Sequence, residues 1–294
     1  MKAVQKGKPV PVMPARLIIG FLPEFRKDPF ALFYRASTEY GPIVKTKVGP
    51  YEICILTHPD YVQHVLRVKN SNYIKSIFYD ELKAIIGKGL VTSEGNFWKQ
   101  QRRLIQPEFH RTKIASFCTT MTEITSDFVE NWKDVANGAR QISINEEMKE
   151  LTLRIVSATL FSSDVGSVAE KVGDSINVIL DYAKVRQESM IKLPRNFPTR
   201  RNLRYKKAYE LLRQVVLDII NERRHTGEDS GDLLSMLMAA QDEESGKGMS
   251  DEQLFDEVIT LFLAGHETTS HALTWTYYLL SQNSEATTKN FTVN

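Results

Sequence analysis

The sequence predicts a mainly α protein with a small N-terminal β-sheet, built around one long central helix. Three observations carry that prediction. From about residue 93 onward, apolar residues recur at three- and four-residue steps, the spacing of buried helix faces. Only "PIVKTKVGPYEICILTHPD" (42–60) reads as strands, two short β-rich runs flanking Gly49-Pro50 in a hairpin pattern. The stretch from Ser250 to Leu280 keeps helical periodicity for roughly 30 residues, where a typical globular helix has about 11–12.

Bulk properties bound the classes of function. The chain has 294 residues, 42% of them hydrophobic and 25% charged, which is the composition of a folded protein of one large domain or two smaller ones. A net charge of +2 argues against nucleic-acid binding by bulk electrostatics. The two cysteines, Cys54 and Cys118, exclude a disulfide framework and a cysteine-rich zinc site. Each lies among apolar neighbours, so buried free thiols in a reducing compartment are expected. The N-terminus is basic and broken by prolines. It has neither an apolar run long enough to span a bilayer nor a signal-peptide core, so a cytoplasmic, unanchored protein is expected.

Taken in order, Pro9, Pro11, Pro14 and Pro23 make the first stretch an extended lead-in. "DPFALFYRASTEYG" (28–41) reads as a helix ended by Gly41, and the hairpin follows. "DYVQHVLRV" (60–68) is short and amphipathic. Ser93 to Gln106 reads as a helix stopped by Pro107. Ile114, Phe117, Cys118, Met121, Ile124, Phe128 and Trp132 mark one face of a further helix, as do Ile144, Met148, Leu151 and Ile155. Val172, Ile176 and Leu180 repeat the pattern. "LPRNFP" (193–198) interrupts the chain, and a long helix to about Arg224 is expected to turn Leu211, Leu212, Val215, Val216 and Ile219 inward. "GDLLSMLMAA" (231–240) is another helix and "QDEESGKG" (241–248) a solvated loop. The basic cluster Arg195, Arg200, Arg201, Arg204, Lys206 and Lys207 reads as a solvated face. The central helix begins at a capping box, Ser250 with Gln253, and Asp251 and Glu252 suit its positive end.

Polar residues interrupt that helix at His266 to His271, between apolar flanks. Burying so many polar groups is costly unless each finds a partner. A zinc site of the H-E-x-x-H kind is excluded: the second histidine is at i+5, which places the two imidazoles roughly 140° apart around the helix. Two readings remain. In one, Thr268, Thr269 and Ser270 bond back to carbonyls a turn earlier and the cluster is structural. In the other, Ala264 and Gly265 let a flat cofactor approach the backbone, and Glu267 and Thr268 supply an acid and a hydroxyl beside it.

"AGHETT" (264–269) resembles the A/G-G-x-D/E-T-T/S signature in the long central helix of the cytochromes P-450, the haem-thiolate monooxygenases. "FWKQQRRLIQPEFH" (97–110) is similar to the same family's W-x-x-x-R helix, with Trp98 and Arg102 in the matching places. Their i, i+4 spacing puts both on one helix face. The lead-in, the hairpin and "THPDYVQHVL" match in order. The resemblance runs over about 10–283 and implies a truncated cytochrome P-450 fold in one domain spanning 1–294, with a divergent tail at 284–294. It implies haem as cofactor, with Trp98 and Arg102 on a propionate and Ala264 and Gly265 over the porphyrin. Glu267 and Thr268 become the oxygen-activation pair, Thr268 hydrogen-bonding dioxygen and its waters and Glu267 relaying protons. A lipophilic small-molecule substrate, O2 and a ferredoxin- or flavoprotein-type electron donor go with it. His266 is expected to pack, and His271 has no assigned role.

The family's E-x-x-R motif and its cysteine haem loop are not found after Leu280, and neither Cys54 nor Cys118 sits in such a context, so no metal ligand is assigned. The chain as written is expected to be inactive in consequence. Its alternatives are a non-catalytic remnant or a helical binding module. Phe262, Leu263, Trp275, Tyr277, Tyr278 and Leu279 are expected to stand partly uncovered.

Overall fold

The computed structural model describes residues 9–14, 19–138, 140–161, 166–188, 193–227, 229–242 and 246–286. Parts of the N-terminal lead-in, of the 241–248 loop and of the 284–294 tail therefore lie outside the described residues. The chain divides into two compact units, Met1–Lys75 and Ser76–Asn294.

The first unit is built on the hairpin. Strands β1 (Ile43–Val48) and β2 (Tyr51–Leu56) pair antiparallel, with Val48 opposite Tyr51 across the turn. The proline-rich lead-in runs extended beside β1: Met13 donates its N–H to Lys45 O at 2.9 Å and Phe21 donates to Lys47 O at 2.8 Å. Gly20 allows that approach, since at φ +57° a Cβ there would lie 2.1 Å from Lys47 O. Helices α1 (Leu22–Lys27) and α2 (Pro29–Glu39) follow, the second capped by Asp28. Met13, Phe21, Leu32, Ala36, Val44, Val48 and Ile55 form the core of this unit. Period-2 alternation turns Ile55 inward and Cys54 outward, so the expected burial of Cys54 is corrected: its thiol is exposed. "DYVQHVLRV" forms α3 (Pro59–Gln63) and a π-helical turn (His64–Val68), with Leu66 and Val68 exposed.

The regular structure of the second unit is all helical among its described residues. It runs through α4 (Phe78–Ile86), α5 (Gly95–Ile105), α6 (Arg111–Glu130), α7 (Lys133–Ala136), α8 (Ile144–Phe161), α9 (Gly166–Glu188), α10 (Arg200–Thr226), α11 (Leu233–Ala239) and α12 (Asp251–Gln282). As expected from Pro107, α5 gives way to a 3-10 turn at Gln106–Phe109. Helix α12 threads the unit, packing on α8 and also on α4, α10 and α11. Helices α9 and α10 pack on one another through Tyr182 and Tyr205, whose rings stack at 4.2 Å.

Three expectations are corrected here. The buried stripe of α10 is Ala208, Leu212, Val216, Ile220 and Arg223, while Leu211 is exposed. Leu212 and Val216 are buried as expected, and Val215 and Ile219 pack partly buried against the core, so of the five residues expected inward only Leu211 is overturned. Cys118 is exposed, because α6 turns Phe128 inward and leaves that side of its apolar stripe in solvent. In the 241–248 loop Asp242 is buried, since it pairs with Arg103 at 3.2 Å. The basic cluster on α10 and before it is exposed, as expected.

Candidate functional site

The capping box that starts α12 is present in both directions. Gln253 N–H donates to Ser250 Oγ at 3.3 Å, and Ser250 N–H donates to Gln253 Oε1 at 2.8 Å. From there the helix changes character along its length. Every residue from Leu254 to Thr260 is buried, as is Phe262, so the first half is enclosed on all sides. Beyond Phe262 only His266 and Ser270, one turn apart, are fully buried. The burial expected for Phe262 was therefore too low, and the exposure expected for Trp275, Tyr277, Tyr278 and Leu279 is observed.

This explains the polar break. The polar residues do not share one environment. His266 faces α8, its Nε2 3.2 Å from Lys149 O, and burial pulls its imidazole below the ordinary value, so it packs as a neutral ring. Ser270 is buried and donates to Glu267 O at 2.9 Å. Thr268, Thr269 and His271 lie on the exposed side, with Glu267 half-buried. Thr268 donates to Ala264 O at 2.5 Å, the back-bond expected of a helical threonine. Ala264 and Thr268, one turn apart, thus form a small-residue strip with a hydroxyl at its end.

Gly265 has a structural use as well. A Cβ at this position would lie 3.2 Å from Val156 Cγ2, so the glycine lets α12 and α8 approach closely. On α5, Trp98 is half-buried and Arg102 exposed, with the guanidinium carbon 5.4 Å from the indole centroid. Arg102 has no ion-pair partner among the described residues. Leu104, Ile105 and the wholly buried Gln101 anchor α5 in the core.

An apolar cavity of about 520 Å³ opens between α6, α8 and α12. Phe117, Met121, Ile155, Leu261 and Leu273 supply its walls, which gives the half-buried stripe of α6 its environment. Ala264, Gly265 and Thr269 reach it; Trp98, Arg102, Glu267 and Thr268 are not among its lining residues. This cavity thus takes in part of the AGHETT stretch and none of the W-x-x-x-R pair. Among the described residues no group of three or more histidines, cysteines or carboxylates could hold a metal ion.

Sequence reading passed over two carboxylates. Asp256 and Glu257 lie within the enclosed half of α12 and are 8% and 1% exposed. Burial raises both, Glu257 to about 7. The signal was available: two adjacent acids interrupt an apolar helix run, where charge is rare unless it has a partner.

Fold and site together define a class, the mainly α proteins threaded by one long helix with a polar break near its middle. Within it the chain belongs to the cytochrome P450 family, whose pattern matches residues 10–290. It is similar to cyclooctat-9-en-7-ol 5-monooxygenase of Streptomyces melanosporofaciens, 32% identical over 86% of this chain and 54% of the relative. Pentalenene oxygenase of Streptomyces avermitilis is 33% identical over 86% of this chain and 55% of the relative. Carotene epsilon-monooxygenase of Arabidopsis thaliana is 27% identical over 88% and 51% respectively. The chain thus spans about half the length of these relatives. No helix among the described residues is long and apolar enough to cross a membrane.

Proposed function

We propose that residues 1–294 form one domain that supplies the substrate-side helices of a haem-dependent monooxygenase acting on a lipophilic small molecule. Two observations carry this reading, a cation with no ion-pair partner among the described residues and a small-residue strip on the central helix. Arg102 is exposed, stacked on Trp98 and without a carboxylate partner among the described residues, and the central helix presents Ala264 and Thr268 on its own exposed side. These residues fit a haem. A planar guanidinium takes a propionate in two parallel hydrogen bonds, and the Trp98 indole N–H adds a third donor. Ala264 leaves room for a flat ring against the helix.

Haem, when bound, supplies the activation of O2 by which one oxygen atom enters a substrate C–H bond, the other leaving as water with two electrons and two protons. The protein's part is positioning and proton control. Thr268 offers a hydroxyl beside the reacting face, and Glu267, half-buried one residue earlier, exchanges protons with solvent. Two electrons call for a ferredoxin- or flavoprotein-type donor. A cytoplasmic location suits such a donor. The names of the relatives, a cyclooctatenol, pentalenene and carotene among them, support a hydrocarbon-rich substrate.

The test is a haem titration of the chain followed by tryptophan emission. A porphyrin held by Arg102 lies close to Trp98 and should quench it, so quenching in wild type should exceed that in W98F. Equal quenching in the two proteins would remove Trp98 and Arg102 from the site.

A further inference from the structure

The segment 87–93, between α4 and α5, is held by a device that neither motif includes. We propose that Glu257, assisted by Asp256, is a positioning residue: it fixes this turn on the central helix, and through the turn it sets the start of α5, which carries Trp98 and Arg102. Nothing in this inference depends on haem.

The turn has no helix or strand to satisfy its main-chain donors, which must find partners elsewhere. Two of them find the adjacent carboxylates. Lys88 N–H donates to Asp256 Oδ2 at 2.7 Å, and Leu90 N–H donates to Glu257 Oε2 at 2.9 Å. The turn closes on itself through Thr92 Oγ1, which donates to Gly87 O at 2.7 Å, and through Ser93 N–H, which donates to Gly89 O at 2.9 Å. Two glycines then let the backbone lie directly on the helix. A Cβ at Gly87 would sit 1.9 Å from Asp256 Oδ1, and one at Gly89 2.0 Å from Thr260 Oγ1 and 2.7 Å from Asp256 O. Thr92 and Ser93 are each 2% exposed, and α5 begins at Gly95, three residues before Trp98. Whatever holds the turn therefore holds the N-terminal end of α5.

Packing alone does not explain an acid at position 257. An apolar side chain of the same size would fill the space without the cost of a buried carboxyl. What the apolar side chain lacks is an acceptor for Leu90 N–H. Glutamine keeps that acceptor and leucine does not, so the pair of variants separates positioning from packing.

The experiment is hydrogen–deuterium exchange on the 294-residue chain, with peptides covering 87–94, 95–105 and 200–226. In E257L, exchange over 87–94 and the first turn of α5 should rise about tenfold while 200–226 stays slow, the pattern of a local opening. E257Q should restore protection to within about twofold of wild type. If E257L does not fold, G89A gives the same reading with Glu257 in place, since its new methyl group lifts the turn from Thr260. Trp98 emission should shift to the red in E257L or G89A and not in E257Q. Protection over 87–94 that survives in the folded variants, or that is lost in E257Q as fully as in E257L or G89A, would overturn the assignment. Haem affinity enters none of these readouts, so the inference and the proposed function can fail separately.

Discussion

At the scale of single residues, Glu257 keeps its carboxyl where charge is costly, and this couples the fold to pH. Burial is the main cause of the rise from 4.5 to about 7, with Asp256 adding to it and the Leu90 N–H opposing it. A raised value in the folded state means that folding binds a proton between these limits. Stability from this group is therefore fully present below pH 4.5 and is lost as pH rises through about 7. The full swing is on the order of 3 kcal/mol. Urea unfolding between pH 5 and 8 should show stability falling across that window, and E257Q should flatten the fall. Asp256, also raised, leaves a remainder of the same sign. An unchanged slope in E257Q would place the ionisation elsewhere. Individual residues were legible in the sequence where chemistry is local. His266 packs as read, and Arg102 stands beside Trp98 because i, i+4 spacing alone brings them together. The acid at 257 stood out in the sequence, but its partner was not legible, because that partner is a main-chain N–H 167 positions away in the chain.

At the scale of elements, α12 is two helices in one: enclosed from Leu254 to Phe262 and one-sided from there on. Its ends should answer mutation differently. Phe262→Ala, at a site with 0% exposure, should cost about 3–5 kcal/mol in thermal or denaturant unfolding. Trp275→Ala, at 62% exposure, should change stability by less than about 0.5 kcal/mol. Comparable losses at the two positions would mean that the far half is covered in solution. Ser250→Ala should cost about 1 kcal/mol by removing one arm of the capping box. The box, the hairpin and the proline stops could be read from sequence because each depends on residues within a few positions. That Leu211 lies outside the buried stripe of α10, and that Cys54 and Cys118 are exposed, could not be read so closely. Those facts depend on which neighbour covers each face, and periodicity does not name the neighbour.

At the scale of the molecule, the order of elements and the two motifs identified the family, and the match over residues 10–290 establishes it. The apolar cavity beside α6 was not foreseen. It exists where three helix faces meet, of which those on α6 and α8 read simply as core. The central claim is that Arg102 on α5 and the Ala264–Thr268 strip of α12 are the haem-facing parts of this chain. The most direct measurement joins residues 1–280 to the C-terminal part of pentalenene oxygenase and records the reduced carbon monoxide difference spectrum. The account predicts a red-shifted, thiolate-type band in the joined protein, a loss of haem retention in its Arg102→Ala variant, and no such band in residues 1–294 alone, whose cysteines lie in β2 and α6. A full band in residues 1–294 alone, or haem retention indifferent to Arg102, would contradict it.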